Sequence, residues 1–144
     1  MHHQPHPVLV PVDDDPDTAG FFEAARRGRL ALRRCSDCLK VIHMPCGFCR
    51  WCESWNVEWH EFDPTATLYS WTTVVHQVHP AYPVPYTILV VELVAERGVH
   101  LLGRADGAPA GLAAGQRMEF WIEQLDGGGD RLVPMPNWRP LASR

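Results

Sequence analysis

Several things a reader would look for in this chain are missing, and each absence removes a class of function. There is no basic excess: formal net charge is -4 and the sequence pI is near 6.0. Phosphate neutralisation supplies most of the affinity of general nucleic-acid binders, so that balance argues against one. No apolar run approaches the roughly 20 residues that span a bilayer. The first eleven residues hold three histidines and three prolines, with no apolar stretch after basic residues, so no leader is visible and a cytoplasmic protein is expected. No glycine-rich phosphate loop of the usual kinds is present, and Ser54 and Ser70 lack a nucleophile-elbow context. No internal repeat is visible.

What is present begins with size. A chain of 144 residues fits one compact domain, or a small domain carrying a metal-stapled appendage. Apolar content of 46% and charged content of 21% place it with ordinary globular proteins rather than disordered or membrane chains. Charge is unevenly spread. Arg26, Arg27, Arg29, Arg33, Arg34, Lys40 and Arg50 crowd one short stretch, and Asp13, Asp14, Asp15 and Asp17 lie just upstream. Two readings stay open for the basic stretch: a solvated charged face, or a site for a phosphorylated ligand.

The chain divides into three parts. Residues 1–17 read as a flexible lead rich in Pro, His and Asp. Residues 18–60 hold a short helix and the cysteines. Thr18 is placed to cap that helix, Phe21, Phe22 and Ala25 share one side, and Gly28 sits where a terminating glycine belongs. Arg29–Arg34 alternates as a strand, with Leu30 and Leu32 on one face. Residues 61–144 are β-rich. Strands are expected at Val57–Phe62, Thr65–Val78, Tyr86–Ala95, Val99–Arg104, Arg117–Glu123 and Arg131–Met135, divided by proline and glycine. That succession predicts a small, mostly antiparallel Greek-key barrel, with Pro136–Arg144 as an unstructured tail packed along it. Of the six tryptophans, most are expected in the core or the cysteine segment, with one or two free to anchor a partner.

Cys35-x-x-Cys38 and Cys49-x-x-Cys52 carry the strongest chemical signal. In a reducing compartment, paired cysteines are metal ligands more often than disulfides. Each pair folds into a knuckle whose two thiolates reach one ion, and two knuckles complete a tetrahedron. Four thiolates leave no open position, which describes a structural site, here for zinc. Cys46-x-x-Cys49 is a competing knuckle that would leave Cys52 spare, and His43 is a further candidate ligand. The outer pair is preferred because Pro45-Cys46-Gly47 forms a loop leading back to the metal. Iron in four thiolates would make an electron carrier. Leu39 and Glu53, where iron knuckles usually have glycine, weigh towards zinc. His76, His79, Glu92 and His100 read as partly exposed polar residues rather than a second site.

The parts in order are Phe21-Phe22-Glu23 to Gly28-Arg29-Leu30, the four cysteines, Thr67-Leu68-Tyr69-Ser70-Trp71-Thr72, Pro85-Tyr86, Val91-Glu92-Leu93, and Gly115 to Phe120. This succession, over residues 18–140, resembles the family once labelled domain of unknown function 35: a rubredoxin-like zinc ribbon joined to an acyl-CoA-associated OB-fold. The resemblance implies a non-catalytic accessory subunit of a hetero-oligomer. Its thiolase-fold partner (a thiolase, an acyltransferase or an aldolase acting on steroid side chains) would bring the catalytic residues and make or break a carbon–carbon bond next to a CoA thioester. The accessory chain would dock and help position that thioester. Arg33 and Arg34, with Tyr69 and Trp71, are the expected CoA contacts, supplying cations and apolar walls. The alternative is a single-stranded nucleic-acid-binding ribbon and OB module. Cys46, the long lead and the loop from His79 to Pro85 depart from the family's pattern.

Overall fold

The computed structural model describes residues 9–142. The first element is a helix, α1 (Ala19–Arg26), which buries Phe22, Ala24 and Ala25. Its entry differs from expectation. Thr18 holds the N-cap position without a side-chain bond to the helix; its hydroxyl instead donates to the Val12 carbonyl at 3.0 Å. Its exit is as expected. Gly28 adopts φ +71°, its N–H bonds to Ala25 and that of Arg29 to Ala24, closing a Schellman turn that only glycine enters without strain. Gly20 is fixed by a close approach instead, since a Cβ there would sit 2.3 Å from the Trp59 indole.

Two antiparallel sheets follow. The smaller has the order β2-β1-β3, with β1 Leu30–Cys35, β2 Val41–Ile42 and β3 Val57–Phe62. The larger comprises β4 Ala66–Val74, β5 Tyr86–Leu93, β6 His100–Asp106, β7 Arg117–Asp126 and β8 Leu132–Pro140, in the order β6-β5-β4-β7-β8. Alternation is clean on β5. Thr87, Leu89, Val91 and Leu93 point inward, and the Thr87 hydroxyl is satisfied by Thr73 and by the Gly107 carbonyl. On β4 the register slips between Leu68 and Ser70, so Tyr69 is the extra residue of a bulge and turns outward.

Sheet and ribbon share a core. Leu30, Leu32 and Val41 pack with Ala66, Leu68, Leu89, Val91, Leu93, Leu101, Met118 and Trp138. Two strand expectations fail. β4 stops at Val74 rather than Val78, because the Gln77 side chain bonds the His79 and Tyr82 carbonyls and gathers the following segment into a loop. The supposed tail from Pro136 is the second half of β8. Prolines 134, 136 and 140 are tolerated there because β8 ladders only with β7, so their missing donors cost no second ladder. β8 also closes the barrel. Asn137, 2% exposed, accepts from the Arg104 N–H and donates to the Arg104 carbonyl, both at 2.9 Å, and so joins β8 to β6.

Within the expected flexible lead, residues 1–8 lie outside the described residues, while Asp13 is buried. Its carboxylate takes Arg26 of α1 and Arg131 before β8, each at 2.5 Å. Among the described residues, no helix is long and apolar enough to cross a membrane.

Candidate functional site

Strand β1 delivers Cys35 to the sheet end, and the chain turns back at once into β2. The turn is held by backbone: Cys35 N–H donates to the Lys40 carbonyl and Leu39 N–H to the Cys35 carbonyl, both at 3.0 Å, while Cys38 N–H approaches the Cys35 sulfur at 3.5 Å. The second knuckle repeats the scheme. Cys49 N–H donates to Ser54 and Glu53 N–H to Cys49, both at 2.9 Å. Leu39 and Glu53 occupy equivalent corners, at φ +62° and +61°, where a residue with a side chain is strained. Asp37 ties the knuckles together. Its carboxylate accepts from the Ser54 hydroxyl and from Asn56 Nδ2 at 3.1 Å, and these two donors hold its pKa below the ordinary carboxylate value.

The four sulfurs meet. Those of Cys35, Cys38, Cys49 and Cys52 all lie within 4.8 Å of one another, with Cys35–Cys52 at 3.5 Å and Cys38–Cys49 at 3.6 Å. A tetrahedron with metal–sulfur bonds of about 2.3 Å has edges of about 3.8 Å, so the cluster is sized to close on one ion. Cys35, Cys49 and Ile42 are fully buried beneath it, and Phe48 and Trp55 stack at 5.0 Å between ring centroids alongside. Cys46 stands apart, with its thiol directed at the Phe48 carbonyl 3.1 Å away.

The thiols differ in acidity. Burial pushes the Cys49 thiol up, but the N–H groups of Cys52 and Trp51 and the nearby thiols outweigh it and bring it down to about 6. At Cys35 the Cys38 N–H also lowers the pKa against burial. Cys52 moves the other way. The Ser54 N–H favours its thiolate, but Cys35 and burial prevail and raise it to about 12. Cys35 and Cys49 are thus shifted towards the thiolate and Cys52 away from it. A divalent cation favours the thiolate at each, and four sulfur donors fit a soft or borderline ion.

The other expected contacts do not form one group. Arg34 binds Glu58 at 2.8 Å beside His60. Arg33, on the opposite face of β1, lies over the Trp59 ring at 4.7 Å and donates to the Pro16 carbonyl at 2.9 Å. It lines an apolar cavity of about 210 Å³ with Phe21, Phe22, Trp59 and Trp138. Tyr69 stacks on His100 at 4.2 Å, and Trp71 is exposed. Of the tryptophans, Trp138 is fully buried, while Trp51 and Trp55, in and beside the second knuckle, and Trp71 on β4 are exposed. Asn137 and Asp13 carry roles that no local pattern reports: Asn137 holds the Arg104 backbone 33 residues away, and Asp13 joins Arg26 to Arg131, 13 and 118 residues away.

Residues 59–123 match the family model described as the C-terminal OB-fold domain of ChsH2. A probable enoyl-CoA hydratase alpha subunit of Thermomonospora curvata is 32% identical over 126 residues, 86% of this chain. The chain spans 37% of that relative's length. Among solved structures, the Ltp2-ChsH2(DUF35) aldolase matches with a TM-score of 0.72 at 29% identity, over 90% of this chain and 98% of the other. A DUF35-family protein of unknown function from Sulfolobus solfataricus matches with a TM-score of 0.54 at 18% identity, over 73% of this chain and 77% of the other, a likeness of fold alone.

Proposed function

We propose, from the premise that the chain belongs to the DUF35 OB-fold family, that it is an accessory subunit of a thiolase-fold acyl-CoA enzyme. It docks on that enzyme and helps position a CoA thioester for carbon–carbon bond formation or cleavage. The observation that carries this reading is the likeness to the Ltp2-ChsH2(DUF35) aldolase over 98% of that chain. The hydratase subunit from Thermomonospora curvata supports the same acyl-CoA setting. Among the described residues the cysteine cluster is the one gathering of metal-ligating side chains, and four thiolates would leave a tetrahedral ion no vacant position for a substrate. That fits a structural role, with the chemistry brought by the partner.

Zinc is the ion this reading assigns to Cys35, Cys38, Cys49 and Cys52. Bound there, it would supply a staple rather than a reactive water, because every coordination position is a sulfur. The chain's own part is to hold the knuckles with Asp37, Ser54 and Asn56, and to keep Cys35 and Cys49 dry.

Co-purification tests the reading. The chain is expressed with thiolase-fold proteins encoded beside it, and each pair is assayed with CoA thioesters. A stable complex that turns over only when both chains are present is the expected result. A chain that remains alone and activates nothing refutes the accessory role.

A further inference from the structure

Six of the chain's cationic side chains have no carboxylate within ion-pairing distance among the described residues: Arg29, Arg33, Lys40, Arg50, Arg97 and Arg117. Three of them line one cleft. Lys40 and Arg50 come from the two knuckles and Arg97 from the β5–β6 turn of the barrel, around a space of about 400 Å³. Lys40 and Arg50 lie over the Trp51 ring at 5.7 Å and 5.1 Å, which steadies both side chains while their charges stay unneutralised. Glu96 is the single carboxylate of the lining, so the cleft keeps a positive excess within a chain of net charge -4. His43, also in the lining, has its pKa lowered by burial. At the rim, His100 stands 3.4 Å from Glu92 and carries the Tyr69 ring, whose other surroundings leave it 56% exposed.

We propose that this ribbon–barrel cleft binds the phosphates of a nucleotide, with Lys40, Arg50 and Arg97 as the phosphate contacts and Tyr69 as the platform for the base. Three unpaired cations lining one cleft suit a diphosphate or bisphosphate better than a single carboxylate, and an aromatic ring backed by a second ring accepts a base through its free face. The site deepens the acyl-CoA reading and rests on it only for the identity of the natural ligand. It replaces Arg33 and Arg34 as phosphate contacts, since Arg34 is neutralised by Glu58 and Arg33 lines a separate, apolar cavity.

Lys40 is the only lysine in the sequence, so amine acetylation followed by peptide mass analysis reads the cleft directly. The metal-loaded chain is acetylated at low salt with adenosine 3′,5′-bisphosphate, with pyrophosphate, or with adenosine. The expected result is that the bisphosphate protects Lys40 at submillimolar concentration, pyrophosphate protects more weakly and adenosine does not protect. Arg97→Glu lies in the barrel turn away from the cysteines and should keep its full metal content. It should weaken protection by about tenfold or more, as losing a charge-assisted contact does, whereas Arg29→Glu should leave it unchanged. No protection at about 10 mM bisphosphate, or equal weakening by Arg29→Glu, overturns the proposal. If a partner complex forms and works while the bisphosphate fails to bind, the cleft assignment falls alone. If the bisphosphate binds and no thiolase-fold partner is found, the accessory reading falls and the cleft stands.

Discussion

Two guanidiniums converge on one buried carboxylate at Asp13, joining the lead to α1 and to the start of β8. The hydrogen bond from Arg131 is the largest cause holding its pKa below the ordinary value of 3.8, with burial opposing. A depressed folded-state pKa means that Asp13 stabilises the fold fully above that ordinary value. The contribution fades as pH falls through the lower folded value. Asp13→Asn should therefore lower the melting temperature at pH 7 and narrow its gap to wild type below about pH 4. Equal differences at both pH values would contradict this role. The cysteines give a second residue-scale prediction. Cys35→Ser or Cys49→Ser should lose the bound metal and, with it, much of the ribbon's folding free energy, since structural zinc contributes about 10 kcal/mol or more in small sites. Cys46→Ser should keep one metal per chain, because its sulfur faces the Phe48 carbonyl. Elemental analysis of the purified variants separates the outer pair from the competing knuckle.

Each knuckle is an element whose corner demands a left-handed residue, and neither corner has a glycine. Leu39 is 58% exposed, so little packing is lost on removing its side chain. Leu39→Gly removes a cost of about 1–2 kcal/mol and adds back up to about 1 kcal/mol of unfolded-chain freedom. The expected outcome is unchanged or slightly raised stability, whereas Leu39→Val, β-branched at φ +62°, should destabilise. Chemical denaturation of the two metal-loaded variants decides the sign. The knuckles were legible in the sequence because cysteine spacing is a local quantity. β5 was legible for the same reason: its inward and outward residues alternate within eight positions. β8 was missed because three prolines read as punctuation, and only its place beside a single ladder partner makes them acceptable.

The whole molecule is closed by a contact between β6 and β8 that is not a ladder. Asn137 bridges it with both ends of its amide, and a Cβ on Gly103 would come within 2.7 Å of Asn137 Oδ1. Asn137→Ala would strand the Arg104 backbone groups in a buried seam, at a cost of about 2–4 kcal/mol. Gly103→Ala should be destabilising through the same seam. Thermal melts of both variants test the closure, and a loss below about 1 kcal/mol for Asn137→Ala would contradict it. The same long-range geometry decides which arginines remain available. Asp13, Glu58 and Glu61 neutralise Arg26, Arg34 and Arg27, while Lys40, Arg50 and Arg97 line the ribbon–barrel cleft without a carboxylate partner among the described residues.

The helix and its glycine stop, the cysteine pairs with Cys46 outside them, the β-rich remainder and the resemblance to an accessory family were all legible along the chain. These depend on spacing and alternation within a few residues, which the backbone's two periodicities translate directly into local structure. How the barrel closes and which of the described cations stay unpaired emerge only in the folded chain. Each of those outcomes depends on groups brought together from distant parts of the chain, and neither charge nor spacing along the sequence records who those neighbours will be.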